Sequence, residues 1–517
     1  MNFKRTISPI GLLLAGIGSI IGSGWLFGPL YAAQIAGPAA IVSWIFGGLL
    51  MIVIALTFAE LGSAFPVAGG MIQFAQYSHG PLVSFMIGWM VWISSVAVAP
   101  VETLGIIQYL ANYLPGLMEN REGAHLLTYL GMGVAAFIML LMCVLNFYGA
   151  QFFSRSNSVI TSIKLIVPIL TVIILLSMSF KSTNFHDAAS GGFAPFGWHG
   201  IFAALPLGGV IYSFIGSNTV LQLAGETKNP QLSIPLALIG SMIFCIFLYA
   251  LLQVAFVGAL SHDAFIEGWN KLHYSGDTGP FTGLVLTLGL GWFVIVIYAD
   301  ALISPFGTGF VFTASTGRIG YGLSQIGFLP DTLKKLTKKG VPLRSILLNY
   351  FIGLLLFLPF PAWQKLVSFI ISCFILSYII GPIALVGLRK RKPDTPRPFY
   401  LPFANSISLL AFYICNLLIF WTGWQTVSRM MIALSIGLIF FALYCYRKKN
   451  NLWTTEWRVG WWVLPYFLVL TIISYLGTFG GGMNVIPFGM DFVVIAVLTV
   501  VVFYMVNQGI PHYETFD

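Results

Sequence analysis

The sequence predicts an all-α integral membrane protein in which two of the spans are broken. Three observations predict it. First, 58% of the 517 residues are hydrophobic and only 8% are charged, with a mean hydropathy of +0.90. Soluble domains carry about 25% charged residues, so a chain this apolar needs lipid as its solvent. Second, the apolar residues fall in runs of the ~20 residues that a helix needs to cross a bilayer. Third, two of those runs contain glycine-rich interruptions.

By the length criterion fourteen spans are expected, at 10–33, 38–62, 82–113, 126–149, 156–179, 200–224, 235–260, 283–313, 343–361, 366–388, 403–426, 429–447, 459–477 and 487–507. Lys4 and Arg5 ahead of an apolar run resemble the start of a signal peptide. The run extends to about Ala33 without a small-residue cleavage site, so it is expected to remain as the first span. The other connections are short, and the longest fall around 261–282 and 314–342. No soluble domain is expected. With the N-terminus in the cytoplasm, 19 Lys and Arg residues fall on the inner side and 5 on the outer side, leaving Lys164 inside the membrane. This bias places both termini in the cytoplasm of a cell-membrane protein and requires an even number of spans. It also accounts for the net charge of +9 without nucleic acid. The five cysteines all lie in apolar stretches and read as buried small hydrophobes.

The first span contains Gly16, Gly18, Ile21, Gly22, Ser23 and Gly24. Glycine is the poorest ordinary helix former. An unwound backbone exposes polar groups that hydrocarbon does not tolerate, so a break there must face a cavity or the protein interior. Free amides at the start of the next half-helix, aided by its dipole, form an anion site. A substrate carboxylate suits such a site. Close helix packing on small residues is the other reading of these glycines. The sixth span repeats the device, with Gly208-Gly209 and then Gly216-Ser217-Asn218. Interrupted spans at corresponding places in two halves point to an inverted-repeat transporter with its site at the repeat interface.

At these residues the chain resembles the amino acid–polyamine–organocation transporters. Gly22-Ser23-Gly24 is similar to the family's span 1 motif. Ala59-Glu60-Leu61 with Pro66 and Gly69-Gly70 is similar to its span 2 motif. Gly225-Glu226-Thr227-Lys228-Asn229-Pro230 with Ile234-Pro235 resembles the segment after span 6, and Leu388-Arg389-Lys390 with Arg397-Pro398-Phe399 the loop between spans 10 and 11. Within the family the chain looks most like bacterial aspartate–proton symporters, through segments such as Tyr77-Ser78-His79-Gly80 and Asp300-Ala301-Leu302-Ile303-Ser304-Pro305. The resemblance implies a LeuT-type fold with discontinuous spans 1 and 6. The ten-span core would cover 1–390, with repeats at 10–179 and 200–388. Four peripheral spans would follow in 391–517.

The resemblance also implies a site. The α-carboxylate would sit on amides of Ser23 and Gly24, beside Ile21 and Gly22. The α-ammonium would meet carbonyls of Tyr212 and Ile215, with Phe214 and Gly216 nearby; carbonyls suit a group that only donates. Tyr212 would stand where the family often has an aromatic gate, or would simply pack. Ser94, Ser95, Ala99, Ser217 and Asn218 would shape the side-chain pocket. Arginine is absent from the interiors of the spans and stands only at the ends of those at 343–361 and 429–447, which argues against a dedicated clamp for an acidic side chain.

Ionisable groups inside a membrane are functional by default. Lys164, Glu102 and Asp300 stand out. The resemblance implies that the Lys164 ammonium replaces a sodium ion between spans 1, 5 and 8. It also implies that Ser304 and Thr308, one and two turns after Asp300, mark sodium ligands of sodium-coupled relatives. Burial disfavours the charged form of any such group, so each is a candidate for proton coupling; each acid could equally be a paired or hydrated carboxylate. Glu60 and Glu226 read as structural acids at the inner ends of their spans, and Asp491 as solvated.

Proton-coupled symport of L-aspartate or L-glutamate is the expected function, with amino acid exchange or a broader neutral permease as the alternative. A channel-like facilitator would need a continuous polar stripe. No HExxH, paired metal-ligand or Ser–His–Asp pattern occurs, so neither an enzyme nor a metal or other cofactor is expected. The expected partners are the amino acid, protons and lipid, with oligomeric state left open.

Overall fold

In the computed structural model the described residues are 7–66, 70–121, 124–147, 150–224, 227–272, 279–360, 362–447 and 460–508. Lys4, Arg5, Gly69, Gly225 and Glu226 lie outside them. Helix α1 (Pro9–Ile20) begins at Ser8, whose hydroxyl accepts from the Gly11 amide at 3.1 Å. Pro9 occupies the first helical position, where a missing N–H does no harm. The helix stops where Ile21 turns extended, and α2 (Gly24–Ala36) starts afresh. Helix α3 (Ala40–Ala64) follows.

Helix α4 (Gly70–Leu110) bends at Gly80, which takes a φ of +79°. The span expected at 82–113 therefore has an extra helical arm before the bend. Gln73, Gln76 and His79 dilute that arm's hydropathy, so the length criterion passes over it. A short antiparallel hairpin, β1 (Met118–Arg121) with β2 (Ala124–Leu127), precedes α5 (Tyr129–Asn146) and α6 (Ala150–Met178).

The interrupted sixth run consists of α7 (Gly197–Leu207), α8 (Tyr212–Ile215) and α9 (Thr219–Gln222). It is bent by 50° between Leu207 and Tyr212. The unwound stretch is therefore 208–211, earlier than the Gly216-Ser217-Asn218 segment expected to match span 1. Gly209 adopts a φ of +76°, a conformation that side chains oppose. Gly216-Ser217-Asn218 stays coiled as a 3₁₀ turn.

Helix α10 (Pro230–Ala259) comes next. The span expected at 283–313 divides into α11 (Pro280–Thr287) and α12 (Gly291–Gln325), because Gly289 turns at a φ of +71°. Helix α12 runs well into the loop expected at 314–342; beyond Thr313 it is polar enough to end a hydropathy run without ending the helix. Then follow α13 (Leu343–Leu356), α14 (Trp363–Tyr378), α15 (Ile380–Arg391), α16 (Ala404–Trp421), α17 (Trp424–Arg447), α18 (Val463–Leu476) and α19 (Met490–Gln508).

Among the described residues, ten helical runs are long and apolar enough to cross a membrane, and eleven with the bent pair. Three shorter apolar helices, α1, α13 and α18, accompany them. This is a multi-pass membrane protein. Helix α4 packs along α12, and α3 and α1 along α10. In the run from α14 to α15 the whole apolar window is buried, because α4 and α3 pack on it and α16 and α17 cover its other side. All five cysteines are buried, and none of them forms a disulfide among the described residues.

Candidate functional site

The two breaks lie against each other. A Cβ on Gly216 would run into the carbonyl of Ser19, and one on Gly24 into the Ser213 hydroxyl. These glycines let the end of α1 and the start of α2 close directly onto α8 and the turn after it. Tyrosine hydroxyls brace both sides: Tyr249 donates to the Ile20 carbonyl at 3.2 Å, and Tyr378 to the Ile215 carbonyl at 3.1 Å.

The amide freed by the first break holds a carboxylate. Ser23 N–H donates to Glu102 Oε2 at 2.8 Å. The other oxygen, Oε1, accepts from the Tyr212 hydroxyl at 2.7 Å. Ser23, Glu102 and Tyr212 are all buried. Gly22 makes room, since a Cβ there would come within 2.7 Å of Glu102 Oε1. Gly105, one turn after Glu102, lets α4 approach, with a hypothetical Cβ 3.0 Å from that of Ser23. Ser23 Oγ accepts from the indole of Trp363 at 2.9 Å. Trp363 stacks on Tyr31, with centroids 5.5 Å apart, and packs on Phe27 and edge-on to Tyr212. Trp363 is the residue that sequence reasoning missed: a tryptophan at the start of a span reads as an interfacial anchor.

A buried cation joins three helices beside the break. Lys164 of α6 donates to the Gly18 carbonyl of α1 at 3.0 Å and to Thr308 Oγ1 of α12 at 2.5 Å. Thr308 donates in turn to the Ile21 carbonyl at 3.3 Å. Asp300 accepts from the Trp25 indole at 3.1 Å, while its Oδ1 and the Ser304 hydroxyl have no hydrogen-bond partner. Among the described residues no ion pair joins Lys164 to Asp300 or to Glu102.

The expected side-chain pocket is dispersed. Ser94 bonds back to the Met90 carbonyl at 2.7 Å within its own helix. Ser95 and Ala99 line a cavity with Met139 of α5, Thr316 of α12 and Asn349 of α13. Ser217 and Asn218 line another, with Ile54 and Phe58 of α3 and Met242 of α10. The Phe214 ring packs on Trp44 and Tyr249.

Away from the break, two motif segments meet. The buried Glu60 carboxylate accepts from Arg389 Nε at 2.8 Å, Arg389 Nη2 at 2.5 Å, Arg397 Nη1 at 3.2 Å and the Leu401 amide at 2.8 Å. The Arg389 guanidinium also lies 4.0 Å over the Tyr400 ring.

A family model described as amino acid permease matches residues 7–441. The chain belongs to the amino acid permease family, within the amino acid–polyamine–organocation superfamily. The permease is 38% identical to the glutamate/serine transporter AimA of Bacillus subtilis, over 98% of this chain and 93% of the relative. It is 34% identical to the aspartate-proton symporter of the same organism, over 99% and 98%. A branched-chain amino acid permease, BcaP, is 28% identical over 87% and 95%. The permease is a transporter rather than an enzyme.

Proposed function

We propose that this permease moves L-aspartate or L-glutamate together with protons by alternating access. The observation that carries the reading is the Ser23 amide, which holds a carboxylate in a buried break. A backbone donor at a half-helix start serves an amino acid's α-carboxylate in the same way. The names of two relatives, one a glutamate/serine transporter and one an aspartate-proton symporter, support acidic substrates. The substrate groups are Ile21, Gly22, Ser23 and Gly24 for the carboxylate, and Tyr212, Phe214, Ile215 and Gly216 for the ammonium. Ser95, Ala99, Ser217 and Asn218 are reached through the flanking cavities, and Ser94 stands next to Ser95 on α4. Because the Ile215 carbonyl already takes the Tyr378 hydroxyl, the ammonium must share or displace that donor.

Lys164, Glu102 and Asp300 handle the proton. Lys164 bridges Gly18 and Thr308 as a bound cation would, which supports coupling without sodium. The chain is arranged as fourteen spans with both termini in the cytoplasm. The LeuT-type core occupies 1–390 and the peripheral spans 391–517. Membership of the family and the α1–α2 and α7–α8 breaks support this arrangement. Exchange is the rival mechanism, and the serine in one relative's name keeps a broader substrate range as the rival specificity.

The test is uptake into proteoliposomes containing no amino acid, with a competition panel of all amino acids, with and without sodium. An imposed proton gradient should drive aspartate or glutamate uptake equally well in both. A strict requirement for internal amino acid excludes symport. Failure of both acids to compete overturns the substrate assignment.

A further inference from the structure

We propose that Glu102 is a built-in competitor of the substrate, occupying the Ser23 amide until a proton displaces it. The inference rests on the reading of the break as the α-carboxylate site. One N–H cannot serve two carboxylates at hydrogen-bond distance. Two ionised carboxylates sharing a site repel, and one of them takes a proton. Glu102 accepts at Oε2 from Ser23 and at Oε1 from Tyr212, at 2.8 and 2.7 Å, and both bonds need an acceptor. Protonation neutralises the carboxyl and leaves it a weaker acceptor, so the ionised α-carboxylate of an incoming substrate takes the amide from it. The seat is specifically shaped: Gly22 admits the carboxylate, and Gly105 lets α4 bring it against Ser23.

The exchange balances in charge. The proton comes from the aqueous phase open to the site and ends on a Glu102 oxygen. The incoming α-carboxylate then supplies the negative charge that Ser23 loses. Release on the other side reverses both steps, returning Glu102 to the amide and the proton to solvent. Of the groups facing Glu102, Tyr212 on α8 binds it directly. Lys164 on α6 stays engaged with Gly18 and Thr308. Asp300 on α12 is held by Trp25, and Tyr249 on α10 by Ile20. Those bonds leave Glu102 as the group whose protonation directly frees the substrate's donor. The return of Glu102 to Ser23 gives an empty carrier a closed, satisfied site in which to reorient.

The experiment measures binding of L-glutamate and L-serine to purified protein across pH 5 to 8, for the wild type, Glu102→Gln and Tyr212→Phe. The substrate-bound state holds one more proton, so wild-type affinity rises as pH falls, approaching about tenfold per pH unit. Glu102→Gln keeps the shape but cannot exchange the proton, so its affinity should be independent of pH. Counterflow should survive while gradient-driven uptake is lost. Tyr212→Phe removes one of the two donors holding Glu102 and should tighten binding about tenfold at neutral pH. A wild-type pH slope in Glu102→Gln, or weaker binding in Tyr212→Phe, overturns the proposal while leaving the substrate reading intact. Absence of binding in the wild type at every pH removes both.

Discussion

Lys164 is the residue at which sequence and geometry agree most directly. The sequence shows it as a lone ammonium inside a span, and its partners are the Gly18 carbonyl and the Thr308 hydroxyl. Replacing it with Ala leaves the Gly18 carbonyl without that donor, at a cost of about 1–3 kcal/mol. Lys164→Ala should therefore lower the melting temperature in detergent and abolish proton-driven uptake while leaving counterflow partly intact. A wild-type response of uptake to the gradient in that variant would exclude the lysine. Glu102 shows the opposite case. Its presence in span 3 was legible, but nothing local to residues 100–105 says that its carboxylate reaches Ser23, 79 positions away. Trp363, which reaches Ser23 from still further along the chain, was not legible at all.

At the scale of elements, the breaks were legible and their exact places were not. Glycine marks a break through what it lacks, and it also marks a close contact through what it lacks. In the interrupted sixth run both uses occur: Gly209 takes the left-handed turn, and Gly216 admits the backbone of α1. These roles can be separated. Gly209→Ala adds the strain of a side chain at positive φ, about 1–2 kcal/mol, to a contact of 2.9 Å with the Trp363 ring, and should slow transport with the protein still folded. Gly216→Ala forces a side chain into the Ser19 carbonyl, so it should pull the two broken runs apart and eliminate substrate binding. Thermal unfolding together with ligand binding distinguishes the two. If both variants behave alike, the two glycines do not have distinct roles. The boundary of α12 teaches a related lesson. Hydropathy falls off after Thr313, but the backbone hydrogen bonds that define a helix continue to Gln325.

At the scale of the whole molecule, Glu60 fastens α3 to α15 and to the segment leading into α16. A buried carboxylate with two guanidinium partners is costly to break from one side, at about 3–5 kcal/mol. Glu60→Gln should therefore destabilise the protein and raise the reactivity of a cysteine introduced near Arg397 toward a thiol reagent applied at that face. Unchanged stability and reactivity would show that the cluster is not a latch. Two motifs from distant parts of the sequence, around Glu60 and around Arg389 and Arg397, are the two halves of this contact. Their pairing was not readable, because charge complementarity alone allows many partners.

The sequence by itself determined the solvent, the helical class, the family and the existence of two breaks. The solvent, the class and the breaks follow from composition, run length and glycine placement, and the family from its motifs, all of them properties of single segments. Only the tertiary structure decided which groups meet at the first break. A free amide, a carboxylate on α4, a hydroxyl on α8 and an indole on α14 converge within hydrogen-bond distance there. Such convergence depends on how the helices pack, and several of the glycines that permit it show no periodicity of their own.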